Sequence, residues 1–284
     1  MAEQNTLNIH KIEKVDESFY FDKKATYDLI FKFNGNKFQA LAYNRDREKF
    51  VLQVEFQNIE GFKQYKEVLF KTDFLEYDFN KVYYISSAAT HAIVPMPFSD
   101  VNTDELLLEF QNTNEVFSKT QKNEIQLLNS NIVYALDVQE LALIRSKFSD
   151  VNIIHSAATL FKYIQHLSFA GYAMFLNVNE DHYELVLMHN KNCILYNIYK
   201  FEKAEDFIYY PLFIAEQFGI AKSDIQMVLF GDIEQNDEKH EALKQYFSQI
   251  FFAPIDKSFE YSYKIEQDSN IHRFANLHSA LICE

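Results

Sequence analysis

The sequence predicts an α/β protein of two lobes that share one order of elements, β-β-β-α-β-α, and three observations carry that prediction. The first is repetition: three β-branched or aromatic segments, Tyr27 to Phe33, Lys37 to Asn44 and Glu48 to Phe56, recur as Tyr172 to Val178, His182 to Met188 and Cys193 to Phe201. The second is that both triplets lead into the same pair of elements. A helix-like stretch comes next, Glu60 to Phe70 and Ala204 to Phe218, then a short apolar run, Lys81 to Ile85 and Ile225 to Phe230. The third is size: 284 residues with 48% hydrophobic and 16% aromatic content suit two lobes that each bury a core.

Taken in order, the polar stretch from Met1 to about Asp16 is expected to be flexible, and the first lobe to run from 17 to 170. After Ile85, Ala92 to Phe98 reads as extended chain. Thr103 to Gln111 then reads as an amphipathic helix opened by Thr103, with Asp104 and Glu105 in its first turn, where the helix dipole favours acids. Glu124 to Leu128 and Asn131 to Leu136 flank Asn129-Ser130 as a hairpin, and Asp137 is placed to cap a helix from Val138 to Phe148. Val151 to His155 reads as a strand and Ala157 to Phe169 as a helix leading to Gly171, where the second lobe, 171–284, begins. His272 to Ile282 closes the chain as a helix. With five glycines and four prolines in all, these limits come from changes of period rather than from breakers.

Charge narrows the function classes. The 27 Lys and Arg against 41 Asp and Glu leave a formal charge of -14, a surface that repels phosphate backbones and anionic lipid headgroups. Nucleic acid is therefore not expected as a partner. The N-terminus lacks a basic segment followed by an apolar one, and no uncharged apolar run approaches spanning length, so a cytoplasmic protein without membrane insertion is expected. Cys193 and Cys283 are far apart and support neither a disulfide framework nor a cysteine zinc cluster.

The duplicated unit resembles the core of the actin/hexokinase/heat-shock-70 ATPase superfamily, a ribonuclease H-like architecture. Several segments are also similar to an uncharacterised bacterial family, domain of unknown function 3822: Thr90 to Phe98 with its Val94-Pro95, Asn131 to Leu136, Ile154 to Ala157, and the stretch from Leu195-Tyr196-Asn197 through Asp206 to Tyr210. Membership implies an actin-like ATPase fold with no assigned activity.

In the superfamily each lobe opens with a hairpin whose turn carries Asp-x-Gly-x-x-Thr/Ser, the carboxylate holding metal or water and the glycine bringing backbone N–H groups to phosphate. Here the matching turns are Lys32-Phe33-Asn34-Gly35-Asn36-Lys37 and Asn177-Val178-Asn179-Glu180-Asp181-His182, and neither keeps the motif. Lys32 and Asn177 replace the carboxylates, while Asn179, Glu180 and Asp181 crowd the phosphate position. A carboxylate about 4 Å from a phosphate costs about 1 kcal/mol in water and about 4 at an effective dielectric of 20. The strand Met227 to Phe230 ends in Gly231-Asp232 where two small residues would admit a nucleoside, so Asp232 intrudes and Gly231 reads more simply as a strand-to-loop turn.

Other constellations read as structural. His189 with Cys193 is two ligands short of a metal site, His272 and His278 lack the spacing that aligns helix ligands, and His155-Ser156 has no third catalytic partner. Glu202, Glu205 and Asp206 suit the start of a helix. Tyr209 and Tyr210 diverge by about 100° on that helix, so one is expected on the sheet and the other toward the cleft or solvent, as an interaction surface.

The sequence thus points first to a catalytically silent, two-lobed protein that binds an unknown protein partner, with no cofactor and no metal. Two alternatives are an active phosphotransferase or ATPase in which Asp181 and Asp232 serve as the metal-binding substitutes, and a sensor that binds a nucleotide or other small ligand in the cleft without hydrolysis.

Overall fold

The computed structural model describes residues 9–19, 26–111 and 120–282; Met1 to Asn8 of the expected flexible terminus, and Cys283, lie outside them. The elements run β1 (His10–Val15), β2 (Tyr27–Asn34), β3 (Lys37–Asn44), β4 (Lys49–Gln57), α1 (Gly61–Lys71), β5 (Lys81–Ser86), β6 (His91–Pro95), α2 (Val101–Gln111), β7 (Gln121–Ile125), β8 (Ser130–Tyr134), α3 (Val138–Lys147), β9 (Val151–His155) and α4 (Ser156–His166). They continue as β10 (Tyr172–Val178), β11 (His182–His189), β12 (Asn192–Lys200), α5 (Ala204–Gln217), β13 (Ile225–Gly231), α6 (Glu238–Lys244), β14 (Gln249–Phe252), β15 (Glu260–Tyr261), α7 (Tyr263–Glu266) and α8 (Ala275–His278).

The duplication is visible in the sheets. The first contains the order β4-β3-β2-β5-β9 and the second is β12-β11-β10-β13-β14, so each is an antiparallel three-strand meander continued by two parallel strands. The repeat is therefore longer than the β-β-β-α-β-α unit by one strand in each half, β9 and β14. The excursion β6-α2-β7-β8 between β5 and α3 forms a separate antiparallel sheet, β6-β8-β7, and has no counterpart between β13 and α6.

Alternation along the strands explains the layering. Leu29 and Phe31 of β2 point into an outer core with Val68 and Leu69 of α1 and Leu141 and Ile144 of α3, whereas Ile30 points inward. In the second sheet Met174 and Leu176 meet Phe207 and Ile214 of α5 in an outer core, and Phe175 points inward. The two inward faces enclose one central core, in which Leu160, Phe161 and Ile164 of α4 pack with Phe274, Ala275 and Leu277 near the C-terminus. No helix among the described residues is long and apolar enough to cross a membrane.

Four features differ from the sequence reading. Residues 10–15, expected to be flexible, form β1, which pairs antiparallel with β4 from His10↔Gln57 to Val15↔Leu52; backbone hydrogen bonding along an open edge orders a strand that buries little. The helix α2 begins at Val101, because Asp100 rather than Thr103 serves its first turn, accepting from the Thr103 N–H and hydroxyl at 3.0 Å each. The closing helix is broken into short 3₁₀ and α turns, 271–274, 275–278 and 279–282. Separate partners fix successive turns: His272 Nε2 meets the Ile233 carbonyl at 2.6 Å, Arg273 binds carboxylates, and Asn276 bonds Thr159. Finally, β15 pairs parallel with β4, so a segment expected within the second lobe adds to the first sheet.

Candidate functional site

The hairpin turns β2-β3 and β10-β11 meet directly where the two sheets converge. Asn34 Oδ1 accepts the Glu180 N–H at 3.4 Å, and Glu180 Oε2 accepts the Asn36 N–H at 2.5 Å. Gly35, at φ +57, is needed here on two counts: the left-handed backbone, and the space above it. A Cβ on Gly35 would lie 1.7 Å from Glu180 Oε2 and 2.6 Å from Glu180 Cβ. The second turn's carboxylate thus occupies the face of the first turn where backbone donors are offered to an anion.

Beneath the turns lies a buried polar network. Lys32, 1% exposed, donates to Asn179 Oδ1 at 3.3 Å. Burial pushes its ammonium down to about 8, against the pull of Glu184, Asp232 and Glu55. Asn177 donates through Nδ2 to Glu184 Oε2 at 2.6 Å, and Tyr196 donates its hydroxyl to Glu184 Oε1 at 2.9 Å. Lys37 Nζ meets Asp232 Oδ2 at 2.6 Å. Arg273 ties the lobes together, reaching Glu55 at 2.7 Å, Asp232 at 3.1 Å and Glu234 at 3.0 Å. Burial works to raise the Asp232 pKa, but Lys37 and Arg273 outweigh it and hold the carboxyl below its ordinary value.

Lys32, Asn34, Gly35, Asn179 and Asp232 therefore share one junction. Asp181 does not join it: largely exposed, it pairs with His182 Nδ1 at 2.6 Å. Burial alone would raise its pKa, but the His182 hydrogen bond and charge bring it below the usual range. Gly231, at φ +74, has a packing role, since a Cβ there would come 2.1 Å from the Val178 carbonyl as β13 closes on β10. Sequence reasoning missed Glu55, Glu184 and Arg273. Each sits inside a regular element, and only the isolation of one charge among apolar neighbours marks it.

The remaining candidates are accounted for locally. His155 caps α4, accepting the Ala157 N–H through Nδ1 at 3.1 Å with Nε2 3.1 Å from the Ala88 carbonyl, and burial pushes its pKa down to about 3, so it is neutral. His189 stacks on Tyr172 at 4.3 Å, while Cys193 Sγ lies 3.6 Å from the Leu195 carbonyl. His278 packs edge-on against Phe50 at 4.6 Å. Asp206 accepts from the N–H groups of Glu202 and Lys203 at the start of α5. On that helix Tyr210 stacks on Tyr199 of β12 at 4.0 Å; Tyr209, 56% exposed, stacks on Phe213, 46% exposed, on the side of the second sheet away from α4.

Among solved structures, a Bacteroides thetaiotaomicron protein with an actin-like ATPase fold and unknown function superposes with a TM-score of 0.76 at 17% identity, covering 94% of this chain and 99% of that one. A structure titled PilM-PilN type IV pilus biogenesis complex aligns with a TM-score of 0.54 at 10% identity, covering 90% of this chain and 98% of its own. These likenesses show the actin-like ATPase fold. Curated proteins gave no match. The profile of the family described as protein of unknown function (DUF3822) matches residues 16–250, and the chain belongs to that family.

Proposed function

We propose that this protein is a catalytically silent member of the actin-like ATPase fold that works in the bacterial cytoplasm by binding another protein, with two lobes meeting near Ala170-Gly171. One observation carries the reading: the Glu180 carboxylate sits 2.5 Å from the Asn36 N–H, over Gly35, where the fold would otherwise offer its backbone donors to a nucleotide phosphate. A polyphosphate entering there would meet a fixed negative charge and find the Asn36 N–H already engaged. The charge substitutions agree with this. Asp232, one of the two acids able to replace the missing metal-binding carboxylates, is held by Lys37 and Arg273, and the other, Asp181, is held by His182. The Arg273 bridge from Glu55 of β4 to Asp232 and Glu234 beyond β13 favours a closed two-lobe body over one that opens and shuts around a substrate. That a chain of similar fold appears in a complex named for pilus biogenesis is in keeping with a partner-binding role. Purified protein with magnesium and ATP tests the proposal: no turnover above background and no shift in melting temperature are expected, whereas magnesium-dependent turnover would replace it with the phosphotransferase reading.

A further inference from the structure

A cavity of about 890 Å³ opens against the two turns, with Asn34, Gly35 and His182 in its lining and the rest of its wall supplied by the first lobe, within the range of sites that hold small ligands or anchoring side chains. Phe33, Tyr65 and Tyr84 line it, with ring centroids 4.4 Å apart for Phe33 and Tyr65 and 5.9 Å apart for Phe33 and Tyr84. The first turn of α3 contributes Glu140, whose Oε1 accepts the Tyr84 hydroxyl at 2.5 Å. Among the described residues no Lys or Arg lines the cavity; the basic residue in its lining, His182, is engaged by Asp181 at 2.6 Å, while Asp137 adds a second carboxyl beside Glu140, which makes no ion pair. Burial raises the pKa of the Glu140 carboxyl and Asp137 adds to the effect, outweighing the Tyr84 hydrogen bond, which lowers it. The Ser87 hydroxyl, also in the lining, is shut off from water with no hydrogen-bond partner.

Aromatic faces beside an uncompensated, half-buried carboxylate repel anions and attract cations, and a guanidinium suits both features: it stacks on rings and pairs with a carboxylate through two N–H groups. The chain's net charge of -14 favours a basic partner at long range. We propose that this cavity receives an arginine side chain presented by a segment of the partner protein, seated against Phe33 and Tyr65 and paired with Glu140. The inference rests on the partner-binding reading above and gives that reading a chemical identity.

The test uses N-acetyl-arginine N-methylamide as probe, with the citrulline analogue as an uncharged control of the same shape and tetraethylammonium as a free ammonium ion, titrated against the full chain by ligand-detected NMR. Binding of the arginine amide at least about tenfold tighter than the citrulline amide is expected, and Glu140→Gln and Tyr65→Leu, each checked for an unchanged unfolding midpoint, should each weaken it about tenfold. Equal binding of the citrulline amide, no binding of the arginine amide at its solubility limit, or indifference to both substitutions overturns the proposal. Tighter binding of tetraethylammonium overturns it in favour of a free ammonium ligand. Failure here leaves the silent-ATPase reading standing if magnesium-ATP is also inert. Turnover of magnesium-ATP defeats that reading whatever the arginine amide does.

Discussion

Placing alanine at Gly35 should cost more than a glycine-to-alanine change in an open turn, because two penalties coincide. Residue 35 holds φ +57, and a left-handed backbone costs an L-residue about 1 kcal/mol. The new Cβ would also fall 1.7 Å from Glu180 Oε2, so the carboxylate must leave the Asn36 N–H. A hydrogen bond to a charged group contributes about 1.5–3 kcal/mol, and at this solvent-facing turn the low end applies. Gly35→Ala should therefore destabilise by about 2–3 kcal/mol, or about 4–6 °C in melting temperature at this chain length. Glu180→Gly alone, which removes the obstructing side chain together with the bond, should cost about 1–2 kcal/mol. Combined, the two changes should cost less than their sum, since alanine at 35 then bears only its backbone penalty. Denaturant unfolding of the four proteins measures the difference, and a coupling of about 1–2 kcal/mol is expected. Strict additivity would refute the claim that Glu180 occupies the turn.

Three other outcomes are expected. His155 and His278 are both held at about 3 by burial, against about 6.5 in an unfolded chain. The unfolded chain therefore binds more protons between those values, so stability is fully present above pH 6.5 and lost as pH falls toward 3; by pH 5 the pair should have cost about 4 kcal/mol, and replacing both by glutamine should flatten the measured profile. Arg273→Met leaves Glu55 buried without its cation and should cost about 3–5 kcal/mol in equilibrium unfolding, with Glu55→Gln added to it restoring part of the loss. Tyr210→Ala, which removes the ring stacked on Tyr199 at 4.0 Å, should cost about 2 kcal/mol, whereas Tyr209→Ser should stay within about 0.5 kcal/mol of wild type by the same assay.

Local pattern carried most of the fold into the sequence. Strands such as Tyr27–Asn34 and Tyr172–Val178 are buried on both faces because each sheet is covered on both sides, and the rich apolar content this demands recurs at matching places in the two halves. Strands that stand by pairing rather than burial gave no such signal. His10–Val15 reads as a polar tail, Gln249–Phe252 is only four residues long, and Glu260–Tyr261 is a pair whose partner, Lys49–Phe50, lies far back in the chain. In the candidate site, the replaced carboxylates and the acid-crowded second turn were readable from residue identity alone. The direction in which Glu180 turns was not, since its partner Asn36 is 144 positions away. The same holds for Arg273, whose contact with Glu55 spans 218 positions and fixes a closing segment that the sequence presents as one plain helix.

The central claim, that the phosphate seat is filled from within and no nucleotide chemistry takes place there, is tested most directly by steady-state ATP hydrolysis with magnesium on the full chain. No turnover above background is expected for the wild type, and Asn177→Asp alone should not restore it while Glu180 still covers Gly35. Magnesium-dependent turnover by the wild type, abolished by Asp181→Ala or Asp232→Ala, would contradict the account.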